Sequence, residues 1–235
     1  MVPGRPSSSL VVEDSGTVIW VDAGFGTFES LCRGFSVAKL DAVVITHEHP
    51  DHSADFFALY HRLAYGPKEL GRIPVFTTGS AVERIAGFLG AGDDHQLFDL
   101  FDFRRVAGGD MAEVNSLKIL FGDAYHSVPA LVVRFESADR TIAYSGDTGD
   151  QGAWPELVTG ADVFICEASR QDGDETSGYP YHLTAARAAA IAREREAKRL
   201  VLTHIPPHLD PVLSIEEAER VFDRPVTLAT PGQIL

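Results

Sequence analysis

The stretch Ala42-Val43-Val44-Ile45-Thr46-His47-Glu48-His49-Pro50-Asp51-His52 decides how the rest of the chain is read. Ala42–Thr46 is a compact apolar run of strand length, it passes straight into His-x-His-x-Asp-His, and the helical pattern Ala54–Ala64 follows. A strand, a polar loop and a helix in that order place the loop at a strand end, where several side chains can be aimed into one cavity. Imidazole nitrogen and carboxylate oxygen are the ligands that zinc, iron or manganese take. A cysteine-poor set argues against a closed structural zinc site. The competing reading of the same residues is a solvated polar loop.

Outward from that stretch, Ser8–Glu13 and Thr17–Asp22 are short Val- and Ile-containing runs around Asp14-Ser15-Gly16, which predicts a β-hairpin. Val75–Thr77 leads to the helical pattern Ser80–Leu89, opened by Ser80-Ala81-Val82-Glu83 as a capping box. Leu117–Phe121, Leu131–Phe135 and Thr141–Ser145 follow as successive strands of a meander. Then Asp162–Cys166 (strand), Leu183–Lys198 (Ala-rich helix), Leu200–Thr203 (strand), Ser214–Phe222 (helix, with Ser214-Ile215-Glu216-Glu217 as its capping box) and Val226–Ala229 (strand) restore the α/β alternation. No internal repeat and no long Ser/Gly/Pro linker divides the chain. Hairpin and meander mixed with strand–helix units predict one domain over residues 1–235, an αββα sandwich of two mixed β-sheets with helices on the outer faces.

Composition bounds the function. The 235 residues are 45% hydrophobic and 23% charged, an ordinary globular balance. Twenty Lys and Arg against 34 Asp and Glu give a net charge of −14, which disfavours stable DNA binding and leaves a small anionic substrate held by local cations or metal. Only Cys32 and Cys166 occur; they read as small buried hydrophobes, and their scarcity fits a reducing cytoplasm. No apolar run approaches the ~20 residues of a membrane span, and the first residues lack the order of a signal peptide. His61, His95 and His208 read as surface or packing histidines, Gly24-Phe25-Gly26-Thr27 as a turn under the site, and the mixed-sign run Arg193–Arg199 as a solvated helix end.

Further candidate ligands lie just past strands: His126 after Leu117–Gly122, Asp147 in Ser145-Gly146-Asp147-Thr148, and His204 in Leu202-Thr203-His204. Singly, each is an ordinary turn or surface residue. Taken in order with His47, His49, Asp51 and His52, they resemble the metallo-β-lactamase superfamily of binuclear hydrolases over nearly the whole chain. The resemblance implies two divalent ions, zinc in the first place and manganese or iron as alternatives. It puts His47, His49 and His126 on the first ion, Asp51, His52 and His204 on the second, and Asp147 between them. Asp22, in Val21-Asp22-Ala23-Gly24, matches the family's early Asp, which supports the metal loop.

Glu167-Ala168-Ser169 and His182-Leu183-Thr184-Ala185 resemble the Glu-Ala-Thr and His-[Ser/Leu]-Thr-Ala elements of the ribonuclease Z-like phosphodiesterases. That branch implies that Glu167 orients His182 and that His182 serves the scissile phosphate. The local reading agrees, since a His opening the helix Leu183–Lys198 meets N–H groups and a dipole that favour an anion; the bland alternative is a helix cap. Only twenty residues separate His126 from Asp147, leaving no room there for the long arm that grips transfer RNA, so the pattern resembles the short actinobacterial-type members acting on small or cyclic nucleotides. Pro3-Gly4-Arg5-Pro6-Ser7-Ser8 is similar to the family's Pro-Gly-x-x-x-Ser stretch, and the chain begins after the strand that usually precedes it, as a truncated or misassigned start would.

The function expected is a metal-dependent phosphodiesterase acting on small or cyclic nucleotides or short RNA ends. Two ions lower the pKa of a bridging water and polarise the phosphoryl group, Asp51 doubles as ligand and orienter, and His182 or a metal-bound water protonates the leaving oxygen. A homodimer is the family-level expectation. The rivals are a hydrolase of carbonyl substrates (lactone, thioester or β-lactam), in which Glu167 and His182 have no obvious role, and a non-catalytic metal-binding or RNA-associated protein, whose usual sign is lost ligands.

Overall fold

Ser15 (φ 50°) and Gly16 (φ 86°) both take left-handed backbone, the geometry of a tight hairpin turn, and so join β1 (Leu10–Asp14) to β2 (Thr17–Val21). The register runs from Leu10 opposite Val21 to Asp14 opposite Thr17. The computed structural model that shows this describes residues 5–67, 71–173 and 179–235; Pro3 and Gly4 of the opening motif lie outside them. The chain divides into two compact units, Met1–Ala107 with Val114–Leu117, and Gly108–Glu113 with Lys118–Leu235.

In the first unit β2 continues into a parallel array with β3 (Ala42–Ile45), β4 (Ile73–Thr77) and β5 (Phe101–Arg105), giving the sheet order β1-β2-β3-β4-β5. All of β3 is buried, as a strand covered on both faces must be when it reads as one apolar run. Between the strands lie α1 (Thr27–Gly34), α2 (Pro50–Ser53), α3 (Phe56–Tyr65), α4 (Gly79–Leu89) and α5 (Leu97–Leu100). Helix α3 buries Phe56, Leu59, Tyr60 and Leu63, an i, i+3, i+4, i+7 stripe, against a core that includes Trp20, Ile45, Val75 and Phe101.

The second unit holds, except for the strand-end residues Val114 and Leu117, a seven-stranded sheet in the order β12-β11-β10-β9-β8-β7-β6, from β6 (Met111–Val114), β7 (Leu117–Asp123), β8 (Leu131–Glu136), β9 (Thr141–Tyr144), β10 (Val163–Glu167), β11 (Leu200–Thr203) and β12 (Thr227–Leu228). The expected meander is the antiparallel run β7-β8-β9; from β9 to β12 the pairing is parallel. Helices α6 (Ala185–Glu194) and α7 (Pro211–Phe222) share the core of Phe164, Cys166, Leu200 and Leu202. Among the described residues no helix is long and apolar enough to cross a membrane.

Helix starts differ from the sequence patterns. Thr78, still extended at ψ 157°, caps α4 by accepting from Ala81 N–H, so the cap is not Ser80. Asp210 caps α7 by accepting from Val212 N–H, four residues before Ser214, and Pro211 fills the first helical position, where no N–H is needed. Thr184 caps α6 by accepting from Arg187 N–H, which starts that helix after His182 instead of with it. Its last turn is Glu194 because Glu196 turns left-handed (φ 56°) before Lys198. Cys32 is exposed, contrary to the sequence expectation, while Cys166 is buried. On α1 the buried face carries Thr27 and Leu31, and one further residue rotates Cys32 by about 100° off that face.

Candidate metal centre

In the first unit the parallel register brings the carboxyl ends of β2 and β3 level, since Val21 lies opposite Val44. Asp22 follows β2 with φ 56°, a left-handed turn that Asp tolerates better than most residues, and is fully buried. Its Oδ1 accepts from Thr46 N–H at 2.7 Å and from the Thr46 hydroxyl at 2.9 Å, while Oδ2 lies 2.8 Å from Nδ1 of His52. A carboxylate on Nδ1 fixes the imidazole tautomer that offers Nε2 to a metal.

The loop after β3 turns at once into α2, with Pro50 at its first position and His49 as its N-cap residue. His47 Nε2 and His49 Nδ1 are 3.1 Å apart. Two nitrogens each ~2.0–2.1 Å from one tetrahedral zinc would be spaced by roughly 3.3 Å, so this pair fits a single ion. Asp51 Oδ2 lies 4.0 Å from His52 Nε2, with the Asp51 side chain 44% exposed. Glu48 is drawn aside by Arg84, its Oε1 accepting at 3.0 Å from the guanidinium. The loop is held by backbone, Ala23 N–H donating to His52 O and Ser8 N–H to Asp51 O. A Cβ at Gly24 would collide with the Asp51 carbonyl, which is why the turn beneath this loop has glycine there.

In the second unit Asp147, Glu167 and His204 sit at or just past the carboxyl ends of β9, β10 and β11. His204 takes φ 55° directly after β11, its Nδ1 lies 2.9 Å from the Ser169 hydroxyl, and its Nε2 is 3.5 Å from Asp147 Oδ1. His182 Nδ1 lies 2.8 Å from Glu167 Oε1, and ligand atoms of Asp147, His182 and His204 all fall within 4.8 Å of one another. Glu167 is fully buried; Oε1 also accepts from Thr148 N–H and Oε2 from Ser169 N–H. His126 Nδ1 lies 3.2 Å from the Tyr181 carbonyl, and its ring is 5.3 Å from that of His182.

Burial works against a charged His182, but the hydrogen bond to Glu167 and the charges of Glu167 and Asp147 outweigh it and His204, holding its pKa above the ordinary histidine value. The imidazole therefore carries its proton further into the neutral range, as a proton donor requires.

Each unit thus gathers its share of the residues singled out from sequence, Asp22, His47, His49, Asp51 and His52 in one and His126, Asp147, Glu167, His182 and His204 in the other. The donor set fits divalent metal: imidazole and carboxylate atoms converge, and His52 and His204 each have one ring nitrogen tied to a protein oxygen. Thr46, Thr148 and Ser169 were not among the expected supports. All three stand inside quoted motifs, so proximity to candidate ligands is the available signal, and the part of Thr148 toward Glu167 is played by its backbone N–H, which has no sequence signature of its own.

The fold and these donors define a metal-dependent hydrolase of the metallo-β-lactamase fold. More narrowly, the chain belongs to the β-lactamase superfamily domain family, whose model matches residues 17–205. It is 29% identical to a ribonuclease Z of Methanopyrus kandleri, across 94% of this chain and 89% of that one. The crystal structure of the metallo-β-lactamase fold protein YhfI from Bacillus subtilis superposes with a TM-score of 0.86 at 23% identity, covering 99% of this chain and 92% of that one. A diphosphatase of the PhnP family superposes with a TM-score of 0.73 at 23% identity, covering 97% and 83%.

Proposed function

We propose that the chain is a cytoplasmic, single-domain phosphodiesterase for small or cyclic nucleotides or short RNA ends that holds two divalent ions. His47, His49 and His126 would hold the first, Asp51, His52 and His204 the second, with Asp147 shared. The observation that carries the reading is the 2.8 Å contact of His182 with the buried Glu167, in the same ligand cluster as Asp147 and His204. Relatives named as a ribonuclease Z and a diphosphatase support phosphoryl chemistry. The carbonyl-hydrolase reading leaves the Glu167–His182 pair without a task.

Bound zinc, manganese or iron supplies polarisation of the phosphoryl group and an activated water. Around it the chain's own groups orient and move protons. Glu167 is held by two backbone N–H groups, so it holds Nδ1 of His182 and leaves Nε2 as the atom that meets the substrate. As the P–O bond breaks, its electron pair goes to the leaving oxygen, and Nε2–H delivers the proton there. Asp51, partly exposed at the loop, orients the attacking water.

His182→Ala is expected to keep its metal and to lose ~10²–10⁴ in kcat on an unactivated phosphodiester, with a smaller loss on bis(p-nitrophenyl) phosphate, whose leaving group needs little protonation. Glu167→Gln should show a milder form of the defect. Parallel assays with a lactone and nitrocefin test the rival. Turnover of those without phosphodiester hydrolysis would overturn the reading, and loss of metal from His182→Ala would make His182 a ligand.

A further inference from the structure

Beside the ligand cluster of the second unit stands a group of aromatic rings that no step above uses. Tyr179 lies 5.8 Å from His182 with its ring inclined at only 27°, a stacked arrangement, and is 48% exposed. Tyr181 meets Tyr179 edge-on at 5.0 Å and lies 5.4 Å from Tyr125 with the rings tilted by 37°. His182 in turn stacks on His204 at 5.9 Å and 13°. The rings therefore form a row that runs from a candidate metal ligand to an exposed tyrosine.

The row is anchored. Gly149 N–H donates to the Tyr125 carbonyl at 2.7 Å, Tyr125 N–H donates to the Thr148 hydroxyl at 3.0 Å, and Trp154 Nε1–H donates to the Gly149 carbonyl at 3.2 Å. A Cβ on Gly149 would collide with the Pro180 carbonyl and press on the Tyr125 ring at 2.9 Å, so the glycine lets the segment carrying Tyr179 and Tyr181 close against the Asp147 loop. A large aromatic side chain left half in water costs hydrophobic stabilisation that a planar ligand would restore.

We infer that Tyr179, backed by Tyr181 and Tyr125, is the stacking surface for the nucleobase of the substrate, so that this enzyme selects nucleotide esters over simple phosphodiesters. The inference rests on the phosphodiesterase reading. With a net charge of −14 the surface offers little general attraction to a phosphate chain, and an uncharged contact adds preference for a nucleotide without relying on that attraction. Stacking does this, and since every base presents a π-face it predicts weak discrimination among bases.

The test compares the p-nitrophenyl ester of thymidine 5′-phosphate with ethyl p-nitrophenyl phosphate, two diesters that share a leaving group and differ in the base-bearing part. The quantity read is the ratio of kcat/KM, thymidine ester over ethyl ester, for the metal-loaded protein. Tyr179→Ala should lower that ratio by ~5- to 150-fold, the span of base–aromatic stacking energies, and Tyr179→Phe should keep it within about twofold of wild type. Equal losses on both esters would show that Tyr179 only supports His182 and would overturn the inference. A wild-type ratio near one would overturn it too while the phosphodiesterase reading stood. Hydrolysis of neither ester would remove both.

Discussion

The two units assemble their candidate site residues in opposite ways. In the first, His47, His49, Asp51 and His52 come from six consecutive residues after β3 that run into α2, and Asp22 braces them from the neighbouring strand end. In the second, Asp147, Glu167 and His204 come from three strand ends, and only the parallel pairing of β9, β10 and β11 brings them level, with Tyr144 opposite Ile165 and Glu167 opposite Thr203. One set is local and needs a brace; the other is non-local and needs a sheet. Both accept a left-handed residue next to the chemistry, Asp22 (φ 56°) and His204 (φ 55°), at a cost of ~1–2 kcal/mol each. The turn redirects the chain at the strand end, where a side chain continuing the strand would alternate away from its neighbours.

The largest effect should come from the residue proposed to serve both sets. Wild-type protein is expected to bind close to two ions per chain, since seven ligands exceed what one tetrahedral ion can use. Asp147→Ala should lose more metal than any other single change, and His95→Ala, whose ring stacks on Tyr60 and accepts from Leu97 N–H, should lose none. Elemental analysis of the purified proteins reads both. Saturation at one ion, or equal loss in the two variants, would break the comparison at its centre.

The braces differ in charge, and that difference should show in affinity. Asp22→Ala removes a buried carboxylate from Thr46 and His52 and should weaken metal binding by ~10–100-fold in chelator competition. Ser169→Ala, which removes a neutral hydroxyl from His204 Nδ1, should cost less. The reverse order would mean that the non-local set depends more on its support than on the sheet.

The smallest effect lies far from the ligands. Asp162 accepts from the Lys198 ammonium at 2.7 Å and from Thr141 N–H at 2.8 Å, and these bonds, with the charges of Lys198 and Arg140, lower its pKa despite some burial. A carboxylate whose folded pKa is depressed stabilises the fold above its unfolded pKa of ~3.9 and loses that contribution as pH falls through the folded value. Denaturant unfolding should therefore show Asp162→Asn less stable than wild type at neutral pH, by no more than about 1 kcal/mol for so exposed a pair, with the gap closing in acid. A gap that widened in acid would reverse the sign.

Several features are legible in the sequence. The apolar run of β3 and the His-x-His-x-Asp-His that follows it announce a strand and a group of donor side chains at its end, because all the information lies within eleven consecutive residues. The hairpin of β1 and β2 was legible from Asp14-Ser15-Gly16 for the same reason. Helix caps were not: Ser80 and Ser214 satisfied the pattern, yet Thr78 and Asp210 hold the extended backbone from which a side chain can reach the first N–H groups. Strands β5 and β6 carry charged or polar residues between their apolar ones and gave no comparable signal.

The sequence by itself determined the residue types able to bind metal, the loop that carries four of them, and the alternation that makes an α/β chain. Tertiary structure alone decided that Glu167 faces His182, that Ser169 and Thr148 join that network, that His182 precedes its helix, and that three tyrosines line up beside it. The physical reason is separation along the chain. Contacts within one loop are dictated by neighbouring residues, whereas contacts between residues 15 to 60 positions apart exist only once strand register and burial have brought their segments together.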